Sequence, residues 1–436
     1  MAVISPFRAW RYAPERVPIQ QVVTQPYDKI TPDMQERYYQ ASPYNLVRIN
    51  LGKPLPADGA SENVYTRAAA SFQDWRQTGI LRRDPELSIY TYSQTFTIPG
   101  SQTQAERRGF IALGRLEDYS AGIVFRHEQT LAKPKADRLD LLRATRAHFG
   151  EIFMLYSGAG KVDALLDSAA AGIAPDIEVT DEYDVVHRLW RISAPSVIAS
   201  VQELMRDRKL IIADGHHRYE TALTYRDERR AEAETGSGLP VPYDSAMMTF
   251  VDMARPGLVI LPTHRLVFGL LSFSVANFQT EVRKFFNVEE VDTGIDAARA
   301  TAILRQAGLS GTALLAVTAE RAFLLHTPKA IGTRVFGSLS LRQQALDVVQ
   351  LHKVLLEGVL KISDAAIRHQ ENVSYCREAA DALSQVQSGK IQAAFLMNPV
   401  RIQQVREIAF ASEVLPQKST DFYPKMLSGL TIYALE

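Results

Sequence analysis

Apolar residues in this chain switch spacing again and again, and that alternation most narrows the folds open to it. Between 61 and 79, Val64, Ala68, Phe72 and Trp75 recur at helical intervals, with Ser61 suited to the N-cap and Gly79 to a left-handed C′ position. Residues 87–98 then read as a strand rich in Tyr, Thr, Phe and Ile. Residues 107–116 read as its neighbour across the turn-rich Pro99-Gly100-Ser101. A helix opens at Pro134 with Leu139, Leu142 and Phe149 on one stripe and Gly150 after it. The apolar run 209–213 is a short buried strand leading straight into a helix over 219–234, which Gly236-Ser237-Gly238 and Pro240 end. Strands at 247–253 and 258–261, a helix at 275–286, strands at 313–317 and 322–325, a long helix at 341–356 and a strand at 391–397 continue the rhythm. The expectation is an α/β (or α+β) fold of mixed sheets flanked by helices. A chain of 436 residues needs at least two domains. The boundary is expected near 270, giving 1–270 and 271–436.

The hydrophobic fraction of 46% and charged fraction of 22% suit a large core. Lys plus Arg equals Asp plus Glu, 49 against 49, and no basic block occurs, so a nucleic-acid-binding surface is not expected. The single cysteine, Cys376, rules out a disulfide framework or a cysteine zinc site. The first residues lack an apolar secretion core, and no run approaches the ~18 apolar residues of a membrane span. A cytoplasmic protein with neither membrane nor nucleic-acid partner is expected.

Three constellations could carry chemistry. In the first, Asp214-Gly215-His216-His217-Arg218 joins the strand at 209–213 to the following helix. Helix-start amides lack intrahelical partners and the helix dipole adds positive potential there. Gly215 permits a sharp turn and close approach of a ligand. His216, His217 and Arg218 add further positive potential, which is the physics of a phosphate cradle. It is not a Walker loop, because no G-x-x-x-x-G-K-[ST] occurs. Arg218 sits against the dipole, so a bound anion is expected to offset that placement. The plain alternative is a packed His pair with Arg218 exposed.

The second is Arg126-His127-Glu128-Gln129-Thr130 with Lys133-Pro134-Lys135-Ala136-Asp137-Arg138. Glu128 could serve as general base or metal ligand, and His127 as proton shuttle or anion contact. Lys135 and Arg138, three apart, share a helical face. A solvated charge run is the bland alternative. The third, Pro416-Gln417-Lys418-Ser419-Thr420-Asp421-Phe422-Tyr423-Pro424-Lys425, reads as a stiff cationic loop able to close over a phosphate. Thr263-His264-Arg265 follows a strand and is balanced between roles, while His352 and His187 read as packed core histidines. H-E-x-x-H is absent, since Leu131 stands where the second His would be.

Taken together with Gln25-Pro26-Tyr27-Asp28 and Pro262-Thr263-His264-Arg265, these motifs resemble the bacterial family defined by domain of unknown function 1015, over nearly the whole chain. Locally, Ile212-Ala213-Asp214-Gly215-His216-His217-Arg218 is similar to the phosphate-contacting motif of the ParB/sulfiredoxin-like superfamily, which includes free-serine kinases. That likeness implies phosphate or metal-phosphate contacts at Asp214, His216, His217 and Arg218. The sulfiredoxin cysteine is absent, because position 216 is His. The resulting expectation is a kinase-type phosphotransferase for a small hydroxylated metabolite, with free serine as one candidate. Catalysis would fall to Glu128, His127, Asp214 and His217. Phosphate contacts would come from Gly215, His216, Arg218, Lys135, Arg138, Lys418, Ser419 and Thr420. Asp214 would hold Mg²⁺ on a donor such as ATP, ADP or pyrophosphate. A phosphate-ester or nucleotide hydrolase and a non-enzymatic nucleotide sensor are the alternatives.

Overall fold

The computed structural model describes residues 1–129, 132–232, 241–292, 294–329 and 335–436, with only the backbone described at 132–134. Thr130, the side chains of Lys133 and Pro134, and the expected helix stop at 236–240 lie outside the described residues. The chain forms two units. The first comprises Met1–Arg126, Thr130–Val259 and Pro424–Glu436; the second comprises His127–Gln129 and Ile260–Tyr423. The main crossing at 259/260 lies near the expected 270, but the chain also crosses at 127–129 and returns at 424.

In the first unit a mixed sheet is built from β1 (Ile4–Ser5), β2 (Ile89–Thr97), β3 (Gln104–Arg115), β4 (Val124–Phe125), β5 (Ile152–Tyr156), β6 (Ile177–Thr180), β7 (Val186–Ile192), β8 (Leu210–Asp214) and β9 (Ser245–Asp252). The order is β4-β8-β5-β9-β3-β2-β7-β6, with β1 pairing β3 off that path. Only β4–β8 and β5–β9 run parallel. The strands β5, β8 and β9 are apolar almost throughout because both faces of the sheet are covered. On one face, Phe110, Met154, Ile212 and Phe250 pack with Val162, Leu166, Ile198, Val201 and Met205. The last five come from the helices Lys161–Ala170 and Pro195–Met205.

The helix predicted over 61–79 is Val64–Gln77. Its cap is Asn63 rather than Ser61: the Asn63 side chain accepts from Tyr65 and Thr66 amides, and the Thr66 hydroxyl closes the capping box. Gly79 takes φ +75°, as the C′ reading requires. Phe72 and Trp75 of this helix pack with Leu141 and Phe149, and with Ile432 and Ala434 from the C-terminal segment. The helix expected from Pro134 spans Ala132–Thr145.

The second unit holds an antiparallel six-stranded sheet of β10 (His264–Val267), β11 (Asn287–Val291), β12 (Ala313–Val317), β13 (Ala322–His326), β14 (Val373–Cys376) and β15 (Ala393–Met397). Its order is β11-β13-β12-β15-β10-β14. The long helix expected over 341–356 is broken. Leu341–Gln344 and Asp347–Val349 are short α segments, and Gln350–Val359 is a π-helix. Leu346 is extended at the break, and the Asp347 carboxyl turns to the Thr312 hydroxyl and the Ala313 amide. A polar side chain committed to the sheet thus wins over continuous helix. Leu351, His352, Val354, Leu355 and Leu356 are all buried, so the wide turns of the π-helix are packed nearly all round. Among the described residues no helix is long and apolar enough to cross a membrane.

Candidate functional site

The strand–turn–helix predicted around Asp214 is present in the first unit. Strand β8 ends at Asp214, and the helix His216–Glu232 starts two residues later. Gly215 has φ +90°, a conformation open to glycine at little cost. Pairing between β8 and β5 shifts register between Ile212 and Asp214, a bulge that re-aims the strand end. The Tyr219 amide makes the first helical bond, to Gly215 O at 2.9 Å. The preceding amides therefore belong to the first turn, which has no partners inside a helix. His216 is buried and His217 half-buried.

Arg218 differs from its sequence reading. Its Nη1 donates to Glu151 O and its Nη2 to Asp214 Oδ2 at 3.2 Å. The cation near a helix start is thus offset internally by a carboxylate and a carbonyl, without need of a ligand. Gly150 passes close by: a Cβ there would lie 3.3 Å from Arg218 Nη1 and 3.1 Å from Ser428 Oγ.

The charge around Asp214 is lopsided. Burial alone would raise its carboxyl, but Lys425, Arg218, Lys29 and His216 outweigh this and hold it well below the usual carboxylate range. Lys425 Nζ lies 3.8 Å from Asp214 Oδ1. Arg107, buried, donates through Nε to Gln94 Oε1 at 3.0 Å and through Nη2 to Pro424 O, and its guanidinium stands 4.8 Å over the Phe153 ring. Burial pulls Arg107 down to about 10, partly countered by Tyr92 and Asp214. One carboxylate therefore faces several cations, leaving a local positive excess in a chain of zero net charge.

Beside this turn is a cavity of about 60 Å³, lined among others by Tyr27, Asn50, Arg138, Phe149, Gly150, Arg218, Thr221 and Ser428. That exceeds the roughly 10–15 Å³ one water needs, so the space can admit water or a small oxyanion. Arg138 lies over the Tyr27 ring at 4.1 Å and donates to Asn50 O at 2.7 Å. Burial pushes the Tyr27 phenol up to about 12, so it stays a donor. Three separate sequence motifs, around 27, 138 and 218, thus meet at one cavity. Lys135 does not join them; it pairs with Glu220 on the helix after the turn, as Arg126 does at 3.5 Å.

The Glu128 constellation belongs to the second unit. Glu128 Oε1 accepts from the Thr420 amide at 2.7 Å and from the Thr420 hydroxyl at 2.8 Å, and His127 Nε2 is 2.8 Å from the same hydroxyl. Leu415 N donates to His127 O at 2.8 Å, pinning the segment. The expected single loop over 416–425 is divided. Lys418, Ser419 and Thr420 belong to the second unit, Asp421–Tyr423 is a strand, and Pro424 and Lys425 belong to the first unit. Lys418 is exposed at φ +57°, its carbonyl accepting from Arg265 Nη2 at 3.1 Å, while the Ser419 hydroxyl donates to Pro416 O at 2.5 Å. Arg265 is fully buried, with Nε 3.2 Å from His352 Nε2, so Arg265 and His352 are packing residues. His187 is likewise a core residue, 2.6 Å from the Tyr92 hydroxyl and 3.2 Å from Asp181. Among the described residues no three His, Cys, Asp or Glu side chains are grouped so that they could hold a metal ion.

Sequence reasoning gave no part in the site to Arg107, Lys29, Gly150, Glu151 or Ser428, reading Gly150 only as the end of a helix that stops at Thr145. Arg107 sits in the polar first half of its strand, between Glu106 and Arg108, so nothing in the local pattern singled it out. The others come together only through the sheet and the returning C-terminal segment.

A search of curated proteins finds no match to the chain. Among solved structures, a conserved hypothetical protein from Pyrococcus furiosus is 13% identical, with a TM-score of 0.36, covering 72% of this chain and 92% of that one. A free serine kinase in complex with AMP is 12% identical, with a TM-score of 0.38, covering 72% and 88%. SbnI with a C-terminal truncation, from Staphylococcus aureus, is 10% identical, with a TM-score of 0.36, covering 74% and 87%. Likeness at this level leaves function to the chemistry of the site. The family model described as protein of unknown function (DUF1015) matches residues 4–349, and the chain belongs to that family.

Proposed function

We propose that this protein binds the phosphates of a nucleotide or pyrophosphate at the Asp214–Arg218 turn and acts as a kinase-type phosphotransferase on a small hydroxylated metabolite, with free serine a candidate. The observation that carries the reading is the set of cations, Lys29, Arg107, Arg218 and Lys425, gathered on one carboxylate at a helix start. An oxyanion there would meet helix-start amides, Gly215 and fixed positive charge, which is most of what phosphoryl transfer asks of a protein. His216, His217 and Arg138 complete the anion contacts in this reading.

In the second unit, Glu128 is assigned as proton acceptor, with His127 assisting. Support comes from Thr420, whose hydroxyl sits 2.8 Å from each of them in the arrangement an acceptor hydroxyl would need. Lys418 and Ser419 flank that position. Asp214 does not fit a resident magnesium ion, because its two oxygens already face Arg218 and Lys425. Magnesium enters this reading only with the incoming donor's phosphates.

Calorimetry with ADP, ATP and pyrophosphate, followed by phosphorus NMR with and without serine, tests the proposal. Donor binding with acceptor-dependent phosphate transfer supports it. Donor consumption without acceptor makes the protein a hydrolase. Tight binding without turnover makes it a sensor, and no binding of any donor rejects the site altogether.

A further inference from the structure

We propose that Glu151 is a neutral carboxylic acid set behind Arg218, and that oxyanion binding at the turn is linked to keeping it protonated. The inference rests on the reading of this turn as an oxyanion site and adds a residue that controls its affinity.

Glu151 is 1% exposed and immediately follows Gly150, which lines the cavity. Its carboxyl receives little help. Oε1 has one long bond, from the Thr431 hydroxyl at 3.3 Å, and Oε2 has no hydrogen-bond partner. The nearby guanidinium of Arg218 donates to the main-chain oxygen of Glu151 and to Asp214 rather than to the Glu151 carboxyl. A buried carboxylate without strong donors is costly, and the group takes up a proton instead. Burial pushes this carboxyl up to about 7, opposed by its own backbone, Arg218 and Thr431. The Tyr92 phenol on β2 also senses it, and is itself kept protonated by burial and by the Glu151 charge. The Thr431 hydroxyl also touches Met247 Sδ on β9 at 3.2 Å.

The linkage follows from charge. An ionised Glu151 places negative charge behind the guanidinium that an oxyanion needs and opposes the anion; a protonated one does not. Since the raised carboxyl ionises as pH rises, anion affinity falls with rising pH, and binding below full protonation draws in a proton.

Sulfate is the right probe, being a tetrahedral dianion that does not titrate between pH 6 and 8. Titration calorimetry at constant ionic strength, in buffers of different ionisation enthalpy, reads proton uptake directly. The wild type is expected to take up about 0.3–0.5 proton per sulfate at pH 7, with affinity falling correspondingly about threefold to tenfold from pH 6 to pH 8. Glu151→Gln, neutral and nearly isosteric, is expected to bind sulfate with that dependence flattened. Thr431→Val, which removes the hydroxyl bond to the carboxylate, is expected to move the midpoint to higher pH. Undiminished uptake in Glu151→Gln overturns the inference and assigns the proton to His216 or His217. Sulfate binding by the wild type without proton uptake overturns it too. A wild type that binds no sulfate, phosphate or pyrophosphate at any pH from 5 to 9 sinks the oxyanion reading itself.

Discussion

Replacing Gly215 by alanine isolates the geometry on which the turn depends. At φ +90° an added Cβ costs about 1–3 kcal/mol of backbone strain. That Cβ would also lie 3.0 Å from Arg218 Nε and 3.1 Å from both Cζ and Nη2, closer than van der Waals contact allows. The guanidinium must move by a few tenths of an ångström. Its bond to Asp214, already 3.2 Å, then passes out of hydrogen-bond range. Gly79→Ala is the matched control. It has φ +75° with nothing within 4 Å of the added Cβ, so it carries the strain without the clash. Each kcal/mol lowers Tm by about 2–4 °C for a unit of this size, so Gly215→Ala should melt several degrees below wild type. Gly79→Ala should melt lower by a similar strain-derived amount but keep full anion affinity. Sulfate affinity of Gly215→Ala should fall about tenfold, equivalent to roughly 1.4 kcal/mol. Thermal denaturation and calorimetry on the three proteins decide it. If Gly215→Ala binds sulfate as tightly as wild type, the guanidinium is not part of an anion site and the electrostatic argument built on it fails.

Two other outcomes are specific. Glu128→Gln keeps an oxygen able to accept from Thr420 but removes the proton acceptor, so turnover should collapse while donor affinity stays near wild type; unchanged turnover in a coupled assay would take Glu128 out of the mechanism. Arg107→Met strands Gln94 Oε1 and Pro424 O as buried acceptors, each costing about 1–3 kcal/mol, so denaturant unfolding should show a large loss of stability and limited proteolysis should release the segment from 424 onward; near-native stability would mean the arginine pins nothing.

What the sequence alone determined is local. Short apolar runs marked β2, β3, β8, β12, β13 and β15 because most of their residues are buried on both faces of a sheet, and helical spacing marked Val64–Gln77 because it buries one face. The turn at Asp214–Arg218 was legible for the same reason: strand end, glycine and helix start are consecutive, and Gly215 has the left-handed φ such a turn demands. The fates of the long helix at 341–356 and of the loop at 416–425 were not legible. Asp347 turns to Thr312 and Ala313, residues more than thirty positions away, and no local propensity reports such a partner. Likewise Arg218 reads as an unopposed cation until β5 brings Glu151 O beside it. The gathering of Lys29, Arg107 and Lys425 on Asp214 depends on strands and a C-terminal segment hundreds of residues apart in sequence. Electrostatic potential sums over space, whereas sequence motifs sum along the chain, so only the tertiary structure decided which charges share a site.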